Sequence, residues 1–162
     1  MAVIKAALDK YDGKVFQSVR KNGDGYALTM QDGKSITISR QELQQAGGAS
    51  KFKGKPCEVK SMAILMFAAI AKRGSQEGMG NFSAALRYLD NGFSAKKVAK
   101  LLGLHTREVN PNSAGSQDSV VGYSSRHAVY IDSGKTDDYG RATNYNQTDT
   151  NSHQLSGAFT FA

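Results

Sequence analysis

The most informative segment of the chain is residues 56–71, PCEVKSMAILMFAAIA. Pro56 suits the first turn of a helix, because its missing N–H would have no intrahelical partner there. Residues 62–71 are apolar on every side, which is typical of a helix buried within its protein. The pattern therefore predicts one long buried helix that begins at Pro56, ends at about Arg73 and carries Cys57 at its N-terminus.

A β-hairpin and a short helix are predicted before this segment. Residues 26–30 and 35–39 each alternate between apolar and polar side chains, and Asp32-Gly33 between them suits a turn with positive φ. Ser39 and Glu42 then have the spacing of a capping box, in which each satisfies a backbone N–H at the start of a helix. Residues 1–20 are compatible with either a helix or a strand.

The rest of the chain is predicted to contain helices and then strands. Helices are expected at about 83–90 and 95–102, the second ending at Gly103. Strand patterns follow at 120–123, 127–131, 140–145 and 154–161. This order indicates an α+β fold in one domain over residues 1–162. Its expected parts are a hairpin with a short helix (1–50), a helical part (51–110) and a β part (111–162).

Composition excludes several classes of protein. Of the 162 residues, 40% are hydrophobic and 22% are charged, which is the balance of a globular protein and not of a disordered one. The single cysteine rules out an internal disulfide and a cysteine-based zinc site. The three histidines are scattered, and the sequence has no glycine-rich phosphate-binding motif. We therefore expect no metal ion and no cofactor.

The net charge of +7 is unevenly distributed along the chain. Residues 1–111 carry a net charge of +9, and residues 112–162 carry −2. A basic surface that is only solvated is the favoured interpretation, and an acidic protein or, less favoured, nucleic acid is the partner that such a charge could attract.

No membrane span is expected, because the longest apolar run has ten residues and a spanning helix needs about twenty. The N-terminus lacks the pattern of a signal peptide. We therefore expect a cytoplasmic protein, or one exported without a visible signal.

Cys57 and His127 are the residues best suited to catalysis. Helix N–H groups and nearby lysines stabilise a thiolate, which is the nucleophilic form of cysteine. His127 begins an apolar strand, where an imidazole can act as general base and then as general acid. The alternatives are a small buried cysteine and a histidine bonded to backbone.

A third residue would orient the imidazole of His127 from a following strand. The amide side chains that qualify are Asn144, Asn146 and Gln147. Asn144 is preferred among them. Asp137 and Asp138 are closer in sequence but are predicted to lie in a turn.

The Cys57 helix, the His-Ala-Val-Tyr-Ile strand at 127–131 and the later Asn144 resemble the papain-like thiol hydrolases. This resemblance covers about residues 55–148. It implies an α+β fold in which a buried helix with an N-terminal cysteine packs against a small antiparallel sheet. It also implies that Cys57 attacks an amide, that His127 transfers the proton and that Asn144 holds the imidazole. Members of this family commonly carry a glutamine a few residues before the cysteine, as an oxyanion donor, whereas the nearest upstream glutamines here are the more distant Gln44 and Gln45. Their cysteine is usually followed by a small or aromatic residue, whereas Glu58 follows it here.

A second resemblance is to the second half of a calpain-type protease core. It rests on Asn22-Gly-Asp-Gly-Tyr26, the hairpin, residues 38–43, the apolar helix and Arg126-His-Ala-Val-Tyr130. That half supplies the histidine and the asparagine, whereas the nucleophile lies upstream. On this alternative Cys57 is buried on a structural helix, and the chain is an inactive protein-binding module.

A third pattern is that of a helix-turn-helix over residues 95–109, with Gly103 at the turn and Val109 as the anchor of a recognition helix. Pro111 falls where that helix should continue, so a plain helix ending at Gly103 is favoured. A basic nucleic-acid-binding protein or toxin nuclease remains an alternative.

The sequence favours a cysteine-dependent amide hydrolase, either a protease or a glutamine deamidase. Its expected substrate is a protein or peptide. The family resemblance suggests a secreted bacterial effector or toxin.

Overall fold

The computed structural model describes residues 2–50, 52, 57–90, 94–124, 128–138, 141–144 and 155–162. These residues divide into two compact units. The terminal unit consists of Met1–Asp12 together with His105–Ala162, and the central unit consists of Gly13–Leu104. The expectation of a single domain over residues 1–162 stays a prediction.

Helices and strands alternate in blocks along the chain. The α-helices are α1 (Ala2–Lys10), α2 (Arg40–Ala49), α3 (Glu58–Gln76), α4 (Phe82–Asp90) and α5 (Ala95–Leu101). The strands are β1 (Ser18–Asn22), β2 (Gly25–Thr29), β3 (Ser35–Ile38), β4 (Thr106–Val109), β5 (Val120–Tyr123), β6 (Ala128–Asp132), β7 (Lys135–Asp138), β8 (Arg141–Asn144) and β9 (Gly157–Phe161). A 3-10 helix covers Pro111–Ser116. The α+β class is thus confirmed, with two antiparallel sheets.

The hairpin and the capping box are confirmed in the central unit. Strands β2 and β3 pair in antiparallel register, with Leu28 opposite Ile36. The Ser39 hydroxyl accepts a hydrogen bond from the Glu42 N–H, and the Glu42 carboxylate accepts one from the Ser39 N–H. Residues 1–20, which the sequence left open, contain both helix α1 and the start of strand β1, and β1 extends the hairpin to a three-stranded sheet in the order β1-β2-β3.

Helix α3 forms the centre of the central unit, as its apolar sequence predicts. It packs against α2, α4, α5 and strand β3. Its buried residues are Ala63, Leu65, Met66, Phe67, Ala68, Ala69, Ile70, Ala71, Arg73 and Gly74. The antiparallel sheet contributes Leu28, Ile36 and Ile38 to the same core. Burying this apolar surface is the main favourable term in folding the unit.

Arg73 is the one charged side chain among the buried residues of α3. Its Nη2 lies 2.5 Å from the Asp32 carboxylate, in the turn between β2 and β3. Its Nη1 donates to the Leu101 carbonyl at 3.4 Å, and its Nε donates to Glu77 at 3.3 Å. A buried guanidinium needs such partners because burial without them is costly. Arg73 therefore joins α3 to the hairpin turn and to the end of α5.

The turn after α5 brings the backbone close to Asp32. Gly103 has a φ of +77°, and its N–H bonds to the Lys100 carbonyl while the Leu104 N–H bonds to the Ala99 carbonyl. These two bonds form a Schellman motif, which favours glycine at this position. A Cβ at Gly103 would also lie 2.8 Å from the Asp32 carboxylate.

The helix-turn-helix alternative is wrong in its second helix. Residues 106–109, which were to begin the recognition helix, form strand β4 instead. Strand β4 pairs with β9, with Val109 opposite Ala158. Helix α5 therefore ends at the glycine turn, as the favoured interpretation predicts.

The terminal unit is built on a six-stranded antiparallel sheet in the order β4-β9-β5-β6-β7-β8. Strand β9 lies between β4 and β5, and all five of its residues are buried. Helix α1 packs against β5, β6 and β9, burying Val3, Ile4, Ala6 and Ala7. Residues from both ends of the chain therefore share one core.

None of the helices in the described residues has the length and apolarity that crossing a bilayer requires.

Replacing Arg73 with alanine should lower the free energy of unfolding by about 3 kcal/mol, because the change leaves Asp32 without its buried partner. Urea denaturation followed by circular dichroism measures the change. Arg87→Ala, which removes an exposed arginine from α4, is the matched control and should change stability by less than about 0.5 kcal/mol. Equal effects of the two substitutions would contradict this role for Arg73.

Stability should also depend on the ionisation of Asp32. Burial raises the pKa of Asp32, but the hydrogen bond and charge of Arg73 outweigh it, and the pKa lies below its ordinary value. A lowered pKa stabilises the fold above the unfolded value of about 4 and loses that contribution as the pH falls. The free energy of unfolding should therefore decline below about pH 4, and less steeply in Asp32→Asn. Identical acid profiles would refute this.

Candidate functional site

Cys57 is exposed at the N-cap of α3. Its backbone is extended (φ −156°, ψ 170°), and its carbonyl accepts the first helical hydrogen bond from the Ser61 N–H at 2.9 Å. Its side chain makes no capping hydrogen bond. The helix becomes continuously buried only from Leu65 onward. The alternative of a buried cysteine is therefore wrong, and the thiol is accessible to a reagent.

The described residues that follow Cys57 in α3 differ in polarity and in exposure. Val59, two residues further along the chain, exposes 65% of its surface. Lys60 is half-buried, whereas Lys55 and Pro56 lie outside the described residues. The described part of the site is therefore an accessible thiol beside an exposed apolar residue, on the first turn of a long helix.

His127 lies outside the described residues, but the strand that follows it is among them. The strand predicted at 127–131 is observed as β6, Ala128–Asp132. Val129 and Ile131 of this strand are buried in the terminal unit. The role of His127 as base stays a prediction from sequence.

Asn144 ends strand β8, at the edge of the six-stranded sheet. It pairs with Lys135, whose Nζ donates to the Asn144 Oδ1 at 2.6 Å. Lys135 in turn pairs with Asp132 at the far end of β6. Asn144 is thus two strands from β6 and level with Asp132, about 13 Å along the strand from the level of Ala128. The role of Asn144 as the residue that orients His127 stays a prediction. The other amides, Asn146 and Gln147, lie outside the described residues.

The expectation that Asp137 and Asp138 occupy a turn is wrong. Both lie in strand β7, and Asp137 pairs with Tyr130 of β6. The turn is formed by Ser133 and Gly134, whose φ values of +48° and +78° suit a two-residue hairpin loop. The Asp137 carboxylate forms an ion pair with Lys5 of α1. Strand β7, and not β8, is therefore the neighbour of β6 on this side.

A polar network that the sequence did not reveal surrounds Ser119 in the terminal unit. The Ser119 hydroxyl donates to the Asp9 carboxylate, and its N–H donates to Asp132 at 3.1 Å. The Thr160 hydroxyl donates to the Ser119 carbonyl at 3.1 Å. The Asp9 carboxylate also contributes to a raised pKa of the Tyr130 phenol. Asp9 and Ser119 are 110 residues apart, so no local pattern could have indicated their contact.

This network has a structural role and not a catalytic one. Ser119 exposes only 3% of its surface and has a φ of +55°, a left-handed conformation that is uncommon for serine. Its hydroxyl, N–H and carbonyl all have hydrogen-bond partners. A side chain held in this way is inaccessible to a substrate, and its bonds fasten α1 to the sheet.

No metal site is evident in the part of the chain that the structure describes, because no three His, Cys, Asp or Glu residues there are grouped to hold an ion. Comparison with protein-family models, with curated proteins and with solved structures found no match.

Alkaline pH should weaken the network through Tyr130. Burial, then the hydrogen bond to Asp9 and the charges of Asp132 and Asp9, raise the pKa of Tyr130 well above its ordinary value. A raised pKa stabilises the fold below the unfolded value of about 10 and loses that contribution above it. The free energy of unfolding should therefore decline above about pH 10, and less steeply in Tyr130→Phe.

The alkaline decline should not vanish entirely in this variant, because burial also raises the pKa of Tyr11. At neutral pH, Tyr130→Phe should cost about 1 kcal/mol for the lost hydrogen bond. Urea titrations at a series of pH values measure both effects, and an unchanged alkaline slope would contradict the assignment.

Proposed function

We propose that this chain is a cysteine-dependent amide hydrolase with Cys57 as its nucleophile. The observation that carries the proposal is the exposed position of Cys57 at the start of α3. First-turn N–H groups of a helix have no intrahelical acceptors, so they are available to a developing oxyanion. The papain-like arrangement and the role of His127 are parts of the same proposal and rest on sequence.

The proposed reaction has two steps. The Cys57 Sγ attacks the amide carbonyl carbon while His127 accepts the thiol proton, and the C–N bond then breaks as His127 passes that proton to the amine. Water next attacks the thioester, which releases the carboxylic acid and restores the thiol. The substrate is a protein or peptide backbone amide, or a glutamine side chain. Action as a secreted effector or toxin is an extension of this proposal and rests on the family resemblance.

A second candidate is a non-catalytic, calpain-like module that binds a protein. The register of β8 favours it, because Asn144 lies level with Asp132 and is hydrogen-bonded to Lys135. The buried position that this alternative expected for Cys57 is wrong, so the module would carry an exposed but ordinary thiol on which the histidine has no effect.

Alkylation of Cys57 by iodoacetamide separates the two candidates. The hydrolase proposal predicts labelling without denaturant, faster below pH 7 than that of the same thiol in the urea-unfolded chain. It also predicts that His127→Ala slows labelling below pH 7 by about tenfold or more, because the base is lost. Mass spectrometry at timed intervals measures the rates.

The matched control is His105→Ala, which removes an exposed histidine from the terminal unit and should leave the rates unchanged. A rate equal to that of the unfolded chain at every pH, with no effect of His127→Ala, would exclude the hydrolase and leave the binding module. If the fast thiol is found, release of peptides or of ammonia from glutamine identifies the substrate class, with Cys57→Ser as the inactive reference.

A further inference from the structure

Among the residues that the structure describes, no strand pairs with the outer edge of β1 in the three-stranded sheet. Its residues Ser18–Asn22 pair with β2 on one side, and β1 is the last strand of that sheet. Four of its five residues are exposed, and Val19 exposes 40% of its surface. Strands at an edge present backbone N–H and C=O groups to which another extended chain can bond. The sheet therefore offers an exposed template for one more strand.

The charge at this edge is positive. Arg20 and Lys21 are consecutive exposed residues of β1, and Lys14 is exposed shortly before the strand. The central unit as a whole carries 15 basic and 6 acidic residues, a net charge of +9. A strand that approaches β1 therefore meets an attractive field only if it is acidic.

A groove on the open face of the sheet adds a specific contact. Its volume is about 220 Å³, and its lining includes Arg20, Gln76 and the hydroxyl-bearing residues Thr29, Ser35 and Thr37. Arg20 pairs with Ala27, which pairs with Thr37, so these three residues form one row across the sheet. A carboxylate reaching over β1 onto this face would meet a guanidinium and several hydroxyl donors.

These features favour an acidic peptide over the other occupants. Two copies of β1 would bring like charges together, which disfavours pairing between copies of this chain. Binding of single-stranded nucleic acid uses aromatic side chains as stacking platforms. The groove lining contains no aromatic residue, and Tyr26 of β2 pairs with Lys21 in a different row.

We propose that the exposed edge of β1 binds an extended acidic segment of a protein as a fourth strand, with its carboxylates toward Arg20. Backbone hydrogen bonds supply affinity and the carboxylates supply selectivity, as in other cases of strand addition. This inference does not depend on the proposed hydrolase activity, because neither Cys57 nor His127 takes part.

The test uses a fluorescein-labelled peptide of about ten residues in which Glu alternates with Val and Thr. Binding is measured by fluorescence anisotropy to the full chain carrying Cys57→Ser, so that cleavage cannot interfere. An added strand bonds to its neighbour through alternate residues only. N-methylation of one alternate set of peptide nitrogens should therefore abolish binding, and methylation of the other set should leave it unchanged.

Charge reversal in the protein tests the other half of the proposal. Arg20→Glu with Lys21→Glu should weaken binding about tenfold or more, since attraction becomes repulsion at two positions. Arg87→Glu with Lys100→Glu changes the net charge equally at exposed sites on α4 and α5, and should weaken binding by no more than about threefold. Circular dichroism of both double variants verifies that they fold.

Equal binding of the two methylated peptides would overturn the proposal, because attraction would then be electrostatic without strand pairing. An equal loss in the two charge-reversed variants would overturn it as well. Displacement of the peptide by a thymidine oligonucleotide, together with insensitivity to methylation, would assign this surface to nucleic acid instead.

Discussion

The burial of one guanidinium constrains the whole central unit. Arg73 lies among the buried residues of α3, where an unpaired charge would cost several kcal/mol. Asp32, Glu77 and the Leu101 carbonyl satisfy it from the hairpin turn, from α3 itself and from the end of α5. The guanidinium donors have fixed directions, so these contacts link the hairpin turn, α3 and the end of α5 in one arrangement.

The terminal unit is held by contacts between distant parts of the chain. Helix α1 is followed by the whole central unit before the chain returns at β4. The Ser119 network and the Lys5–Asp137 ion pair then fasten α1 to the sheet. Residues so far apart in sequence lose entropy when the loop between them closes. Burial in the assembled core must offset that loss. The terminal unit therefore depends on contacts that form only when α1 and the sheet meet.

Local sequence patterns correctly predicted the elements that are determined by residues close together in the sequence. The capping box of Ser39 and Glu42, the Asp32-Gly33 turn and the all-apolar surface of α3 act within a few residues, and each was found where it was predicted. Strand β1 has no apolar alternation, because four of its five residues are exposed, and β4 is exposed at three of four. Such edge strands exist through pairing, which no periodicity reveals.

The candidate site also combines a feature set by nearby residues with one set by strand pairing. The start of α3 is a local property, so Cys57 was correctly placed at the helix N-terminus. The third residue depends on strand register, and a hairpin loop at Ser133-Gly134 inserts β7 between β6 and β8. That insertion places Asn144 two strands from β6 and not on the next strand, and it could not be predicted because residues 135–138, KTDD, have no apolar alternation. The role of His127 remains a prediction for chemistry to decide.

The position of β9 has a consequence for synthesis on the ribosome. The central unit has all its residues once Leu104 has been added, whereas the large sheet lacks a strand between β4 and β5 until residue 161 is in place. At about 5–20 residues per second, translation of the intervening stretch takes about 3–12 s. Until then, Val109 of β4 and Val121 of β5 lack their partners on β9, which are Ala158 and Phe159. Chaperones that bind apolar segments of nascent chains can therefore bind β4 and β5 before β9 has been synthesised.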